Sequence, residues 1–379
     1  MTRLTLRATL LAGTLGALAA AHPATAQDRT IDRTFPARPG GTLNLDLRPG
    51  GSVRIEGWDR DEVRVEGTLG GRDWREERVA ARATPDGVEV RVWLDTERHN
   101  ISTSNRFEVH VPRRYAIRLS SGGGDVSVHG VQGNLEGSTG GGEITLDDVS
   151  GTARLSTGGG EIHVTDSDLE GDVSTGGGDV VFRNVSGGLR GRTGGGSVTH
   201  DGARASGSTR RAAMRTGTGR TIETGGGDIR IPSVDGDLRA STGGGDITVG
   251  TVDGGVRATT GGGDVQIGSA AGDLELRTGG GSVTATLVRA ADVDITSGGG
   301  EVTLTIPRGM GAEVTIETSQ QRNRRRVVID GDFPLRVTED DDWDDNHRRV
   351  RATGRIGNGE HRIVIRTAGA DVHLRAGSR

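Results

Sequence analysis

The stretch Thr139-Gly140-Gly141-Gly142-Glu143-Ile144-Thr145-Leu146-Asp147-Asp148-Val149-Ser150-Gly151-Thr152-Ala153-Arg154-Leu155-Ser156 is followed at once by a copy of its own opening, Thr157-Gly158-Gly159-Gly160-Glu161-Ile162. The Gly-Gly-Gly triplet occurs ten times, at Gly122, Gly140, Gly158, Gly176, Gly194, Gly225, Gly243, Gly261, Gly279 and Gly298, and seven of the nine intervals equal the step from Gly140 to Gly158. A fixed period of about 20 residues marks a stacked-repeat architecture, in which each unit buries its apolar face only against its neighbours.

With the first glycine as position 1, position 4 is usually acidic and positions 5 and 7 are branched and apolar, as in Ile144 and Leu146 or Ile247 and Val249. After a corner at positions 8 and 9 the parity shifts, giving Val131-x-Gly133-x-Leu135 and Val234-x-Gly236-x-Leu238, and position 18, the last of the repeat, is Thr. Alternation with period two means strands with one buried face. Two short strands joined by glycine corners make one coil of an all-β solenoid, a parallel β-helix. Ten coils at the sheet spacing give a rod about 48 Å long. Each triplet glycine sacrifices about 0.5–1 kcal/mol of backbone entropy relative to Ala. Their retention points to corners whose dihedrals suit only Gly, or whose stacking leaves no room for a Cβ.

Residues 1–26 read as a secretory signal: Arg3 and Arg7, the apolar Leu10 to Ala21, and Ala24-Thr25-Ala26 before Gln27. The expected location is periplasmic or extracellular, in or near the cell envelope. No later stretch approaches the run of about 18 apolar residues that a spanning helix needs, so no transmembrane segment is expected. The chain has no cysteine, which excludes disulfides and a thiol for lipid attachment. All 47 basic side chains are Arg, which excludes lysine chemistry, and the net charge of −5 argues against nucleic acid.

Residues 27–119 are β-patterned without the strict repeat and read as an N-terminal β region and cap. Residues 120–318 carry the regular repeats, with an insertion near 201–220 where the triplet interval lengthens, from Gly194 to Gly225. Residues 319–379 form C-terminal rungs and a cap, and Thr367-Ala368-Gly369-Ala370-Asp371-Val372-His373-Leu374 is a worn copy of the triplet corner. Caps are required because terminal coils otherwise expose strand edges. The insertion carries Arg204, Arg210, Arg211, Arg215 and Arg220, and a second charged segment runs from Arg322 to Asp345 with Trp343 among six carboxylates. Such runs are ordinarily solvated loops.

The acidic column Asp125, Glu143, Glu161, Asp179, Asp228, Asp246, Asp264 and Glu301 is the sharpest chemical feature, with Ser197 and Ser282 at the remaining coils. Carboxylates one coil apart repel by about 0.9 kcal/mol in water and about 3.5 kcal/mol at an effective dielectric of 20. Either cations along the column or hydrogen bonds from the N–H groups of each residue's own corner must compensate, and the Ser substitutions favour hydrogen bonds. A calcium-binding repeat module stays as an alternative. The column Thr139, Thr157, Thr175, Thr193, Thr224, Thr242, Thr260, Thr278 and Ser297 falls inward or at the corner by parity and reads as a hydrogen-bonding ladder. A polysaccharide-acting β-helix enzyme is the other alternative. It would want paired acids and aromatic sugar platforms, whereas Trp58, Trp74, Trp93 and Trp343 all lie outside the repeats. No catalytic, cofactor-binding or metal residue is assigned.

Gly51-Ser52-Val53-Arg54-Ile55-Glu56-Gly57-Trp58-Asp59, Val111-Pro112 leading into Ser121-Gly122-Gly123-Gly124-Asp125-Val126, and Gly354-Arg355-Ile356-Gly357-Asn358-Gly359 before Ile363-Val364-Ile365 occur in a specific order. Together with the repeated corners they resemble the bacterial exported adhesin-like domains of unknown function, relatives of the head-GIN domains. That resemblance implies a single-stranded right-handed β-solenoid in the cell envelope and no catalytic residues. The reading is a non-enzymatic scaffold without cofactor, binding an unknown envelope or surface component, protein or polysaccharide. The two Arg-rich irregular segments are the first places to seek a binding surface.

Overall fold

A computed structural model describes residues 29–96, 100–201, 220–321, 328–340 and 347–377. The proposed signal, most of the 201–220 insertion and much of the Arg322–Asp345 segment lie outside the described residues. The chain is an all-β solenoid of two long ribbons. One, the lead-in sheet, holds the strand that runs into each triplet, such as Ser150–Thr157. The other, the lead-out sheet, holds the strand that leaves it, such as Ile162–Thr165.

Successive coils pair in parallel, one repeat apart: Ala153 opposes Leu135 on one sheet and Ile162 opposes Ile144 on the other. Positions 5, 7, 10, 14, 16 and 18 point inward. In the Gly158 coil these include Ile162, Val164 and Val173, with Leu169 of position 12 turned inward as well, all fully buried, and each such side chain contributes about 1.5–3 kcal/mol of transfer free energy. Side-chain volumes compensate along this core. Phe182 fits because Gly191 lies against its ring, where a Cβ would come within 2.7 Å of Cε2.

The triplets are held open by sterics more than by backbone dihedrals. A Cβ at Gly158 would stand 2.2 Å from the Gly140 carbonyl oxygen, and one at Gly160 would stand 1.8 Å from that of Gly142. At the middle glycine, Gly159, a Cβ would meet nothing within 4 Å. Two glycines in each triplet are therefore imposed by the preceding coil, and the third is not.

Spatial order departs from chain order at both ends. The coil Thr42–Leu47 and Ser52–Trp58 lies between the first triplet coil and the later coil Gly87–Leu94 and Ser104–Pro112. At the other end, His361–Ala368 and Val372–Ala376 slot between the Gly298 coil and the earlier strands Ala312–Gln321 and Ile329–Gly331. The worn corner Thr367 to Leu374 is thus an interior coil. Antiparallel strands cover three of the four outermost parallel ones: Glu62–Gly70 with Arg29–Pro36, Glu77–Thr84, and His347–Ile356 with Arg336–Asp340. Those three edges are closed by antiparallel pairing, and among the described residues the short parallel strand Ile329–Gly331 ends the lead-out sheet.

The insertion leaves this stack intact. Thr193 pairs with Thr224 and Val198 with Ile229, so the extra residues depart after Asp201 and return at Arg220 without shifting register.

Candidate interaction surface

The Thr column forms the inner side of the glycine corner. Thr175 Oγ1 donates to the Gly160 carbonyl of the preceding coil at 2.7 Å and accepts the Gly178 N–H of its own triplet at 3.2 Å. The same bridge recurs at Thr193, Thr224, Thr242, Thr260 and Thr278, and Ser297 repeats it. These hydroxyls are buried, so each bond is made out of water's reach.

The acidic column corrects one expectation. Its aspartates cap the next coil, not their own corner: Asp125 Oδ1 accepts the Glu143 N–H at 2.9 Å, Asp179 that of Ser197 at 2.8 Å, Asp228 that of Asp246 at 2.9 Å and Asp264 that of Ser282 at 2.7 Å. The reason is local, since the corner's own third N–H is already taken by the Thr hydroxyl. Ser197 stands in for Asp by accepting the Asp228 N–H at 3.2 Å. Bonds of this kind favour the ionised carboxylate and offset the repulsion along the column. The Asp246 N–H, followed by Arg230, holds the Asp228 carboxyl below its ordinary range. Glu143 and Glu161 reach past the corner instead, to Thr145 Oγ1 at 2.7 Å and to His163 at 2.8 Å.

A second capping column stands on the opposite corner. Asp237 Oδ1 accepts the Gly255 N–H at 2.8 Å, Asp273 that of Asp292 at 3.0 Å, and Asp292 that of Arg362 at 2.9 Å. The dipeptides Gly236-Asp237 and Gly272-Asp273, two repeats apart, are its sequence signal. They escape a reading centred on the triplets.

Beside this column lies an open groove of about 1220 Å³ that crosses successive coils from Arg220 to Val364. Its floor is a corner built from Gly254, Gly255, Ala271, Gly272, Ala290 and Ala291, which carry little or no side chain. Its wall is the outer face of the lead-in sheet, where Arg239 and Arg257 stand in register. Arg257 and Arg277 both pair with Glu275, the latter at 2.9 Å. Of the rim aspartates, Asp237, Asp273 and Asp292 cap, and Asp294 pairs with Arg366 at 3.5 Å. Among the described residues Arg239 and Arg362 have no ion-pair partner, while the lining as a whole carries five Arg against six carboxylates. Arg220 lies at one end, and burial pulls its guanidinium below its ordinary value, with Asp235 acting in the opposite direction. Of the Arg-rich segments expected to bind, only Arg220 and residues 328–340 of the second are described.

Sequence reasoning also missed His200. It occupies position 7 of the Gly194 coil, a slot filled elsewhere by Val, Leu, Ile, Phe or Ala, and the signal was that single polar exception. Its side chain is fully buried and tilted against the Phe182 ring at 5.7 Å, and among the described residues both ring nitrogens lack partners. Burial first, and the nearby Arg220 second, push its pKa down to about 3. It is a neutral core residue.

No family model and no curated protein matches the chain. Among solved structures, a "putative adhesin" from Parabacteroides distasonis is 12% identical over 73% of this chain and 97% of that one, with a TM-score of 0.37. A "putative adhesin" from Bacteroides fragilis is 12% identical over 73% and 97%, with a TM-score of 0.32. A "putative cell adhesion protein" from Clostridium sporogenes is 11% identical over 92% and 100%, with a TM-score of 0.19. Similarity at this level carries no functional argument, which rests on the chain's own surfaces. No helix among the described residues is long and apolar enough to cross a membrane.

Proposed function

We propose that the chain is an exported, non-enzymatic, adhesin-like β-solenoid scaffold whose groove takes an extended, negatively charged component of the cell envelope or surface. The observation that carries this reading is the alignment of the groove with the stacking direction, with Arg239 and Arg362 along it outside any ion pair among the described residues. A linear polymer laid there meets equivalent backbone every coil, roughly 4.8 Å apart. Contacts of modest individual strength then add along one chain without an aromatic platform. The aspartates of the acidic column are occupied in capping bonds, which suits a scaffold.

The test is fractionation. Protein expressed from the full chain should begin at Gln27 outside the cytoplasm and should cosediment with insoluble envelope polysaccharide at low salt, releasing as salt rises. Recovery in the soluble fraction at every salt concentration would contradict the binding role. Retention of residues 1–26 in the cytoplasm would contradict export.

A further inference from the structure

The lead-out sheet carries a second site, at the opposite end of the stack from Arg362. Glu56 lies on Ser52–Trp58 directly opposite His110 on Ser104–Pro112, and Glu108 shares His110's outward face two residues earlier. His110 Nε2 stands 3.5 Å from Glu56 Oε2 and 3.8 Å from Glu108 Oε1, and the three donor atoms lie within 4.8 Å of one another. Ligand atoms bound at about 2.0–2.1 Å around a tetrahedral ion sit roughly 3.3 Å apart. The observed separations are close to that edge and too long for good hydrogen bonds. Two other His–carboxylate pairs on this face are closer: His163 and His129 approach Glu161 and Asp147 to 2.8 and 2.9 Å.

The arrangement is also oriented in advance. The Trp58 ring stacks on His110 at 4.9 Å with 28° between planes, and Trp58 Nε1 is itself pinned to the Glu62 carbonyl at 2.9 Å. Arg54 Nε binds Glu56 Oε1 at 2.6 Å, which fixes the carboxylate and leaves Oε2 facing His110. Arg54 offsets part of the Glu56 charge, and the three ligand atoms that converge without a good hydrogen bond between them leave room for a shared metal ion.

We propose that Glu56, Glu108 and His110 form a surface site for a divalent transition metal of the zinc class, with its remaining coordination open to solvent. One imidazole with two carboxylates suits zinc, whereas calcium and magnesium take all-oxygen sets. The pairing is invisible in the sequence because Glu56 and His110 are far apart along the chain and belong to coils stacked out of chain order.

The experiment uses the untagged chain stripped with EDTA, titrated with zinc chloride by calorimetry and by thermal shift, with cobalt absorption as a direct signature of coordination. Zinc should bind once and raise the melting temperature in the wild type and in His163→Ala. His110→Ala and Glu108→Gln should each lose at least about tenfold in affinity. Glu108 is half exposed, so its variant keeps the fold while losing a ligand. Absence of a zinc response in the wild type, or an undiminished response in His110→Ala, would overturn the assignment.

Discussion

The coils before the insertion at Asp201 and those after it share one period and one glycine spine, yet they turn the second corner in different places. Before it, a four-residue lead-out strand such as Ile144–Asp147 ends at a residue in the left-handed region, with φ of 52° at Asp148, 49° at Asp166 and 54° at Asn184. An eight-residue lead-in strand, Ser150–Thr157, follows. After the insertion the lead-out strand grows to six residues, as in Ile247–Val252, the corner moves to Asp253-Gly254-Gly255, and the lead-in strand Val256–Thr260 shortens to five. The inward slots do not move: Val149 and Val252 both fill position 10 and are buried. The core fixes the inward positions, and the corner slides between them. Where it slid, the rim lost its side chains and the groove opened.

The largest test concerns what the two regions share. Gly158→Ala in the first and Gly243→Ala in the second drive a Cβ to within 2.2 and 2.0 Å, respectively, of the preceding coil's carbonyl oxygen. Each should lose about 3 kcal/mol in urea unfolding. Gly159→Ala, in open space, should instead gain about 0.5 kcal/mol through the unfolded state. Equal losses at Gly158 and Gly159 would contradict the steric account of the triplets.

At the junction, His200 should make stability depend on pH. The unfolded imidazole takes its proton near pH 6.5, whereas the folded one does so only at about 3. Stability is therefore full above about pH 6.5 and falls by about 1.4 kcal/mol per unit as the pH drops toward 3. The groups bearing on His200 are the Phe182 ring and the Arg220 guanidinium, and neither can accept its proton. His200→Leu should flatten that part of the profile, read by chemical denaturation at pH 7 and pH 5.

The smallest test separates the corners. Asp148 sits at positive φ. Placing a β-branched residue there, in Asp148→Val, should lose about 2 kcal/mol. Ser233 has the same position in a later coil but lies inside the strand Ile229–Val234. Ser233→Val should therefore change stability by less than about 0.5 kcal/mol. Matching losses would mean that the two corners are equivalent.

Period, inward positions and the Thr ladder were legible because each is written by adjacent residues and repeated. The end coils were not. Leu43, Val53, Val88 and Phe107 announce strands, but their stacking order depends on which edge each strand finds, a contact between distant segments. The same holds for Glu77, buried in the N-terminal region, which accepts a hydrogen bond from Asn105 Nδ2 at 2.6 Å and whose carboxyl is pushed up by burial. The groove was hidden for another reason: its floor consists of Gly and Ala, and its meaning lies in what those residues fail to cover.

The most direct measurement compares charge reversal in the two regions. Arg239 lines the groove, and Arg154 occupies the corresponding position 15 on the lead-in sheet before the insertion, paired with Glu136 at 3.6 Å. Binding of the chain to anionic envelope polysaccharide should fall at least about tenfold in Arg239→Glu and stay near wild type in Arg154→Glu, with unchanged circular dichroism in both. Equal binding by the two variants would show that the groove is not the interaction surface.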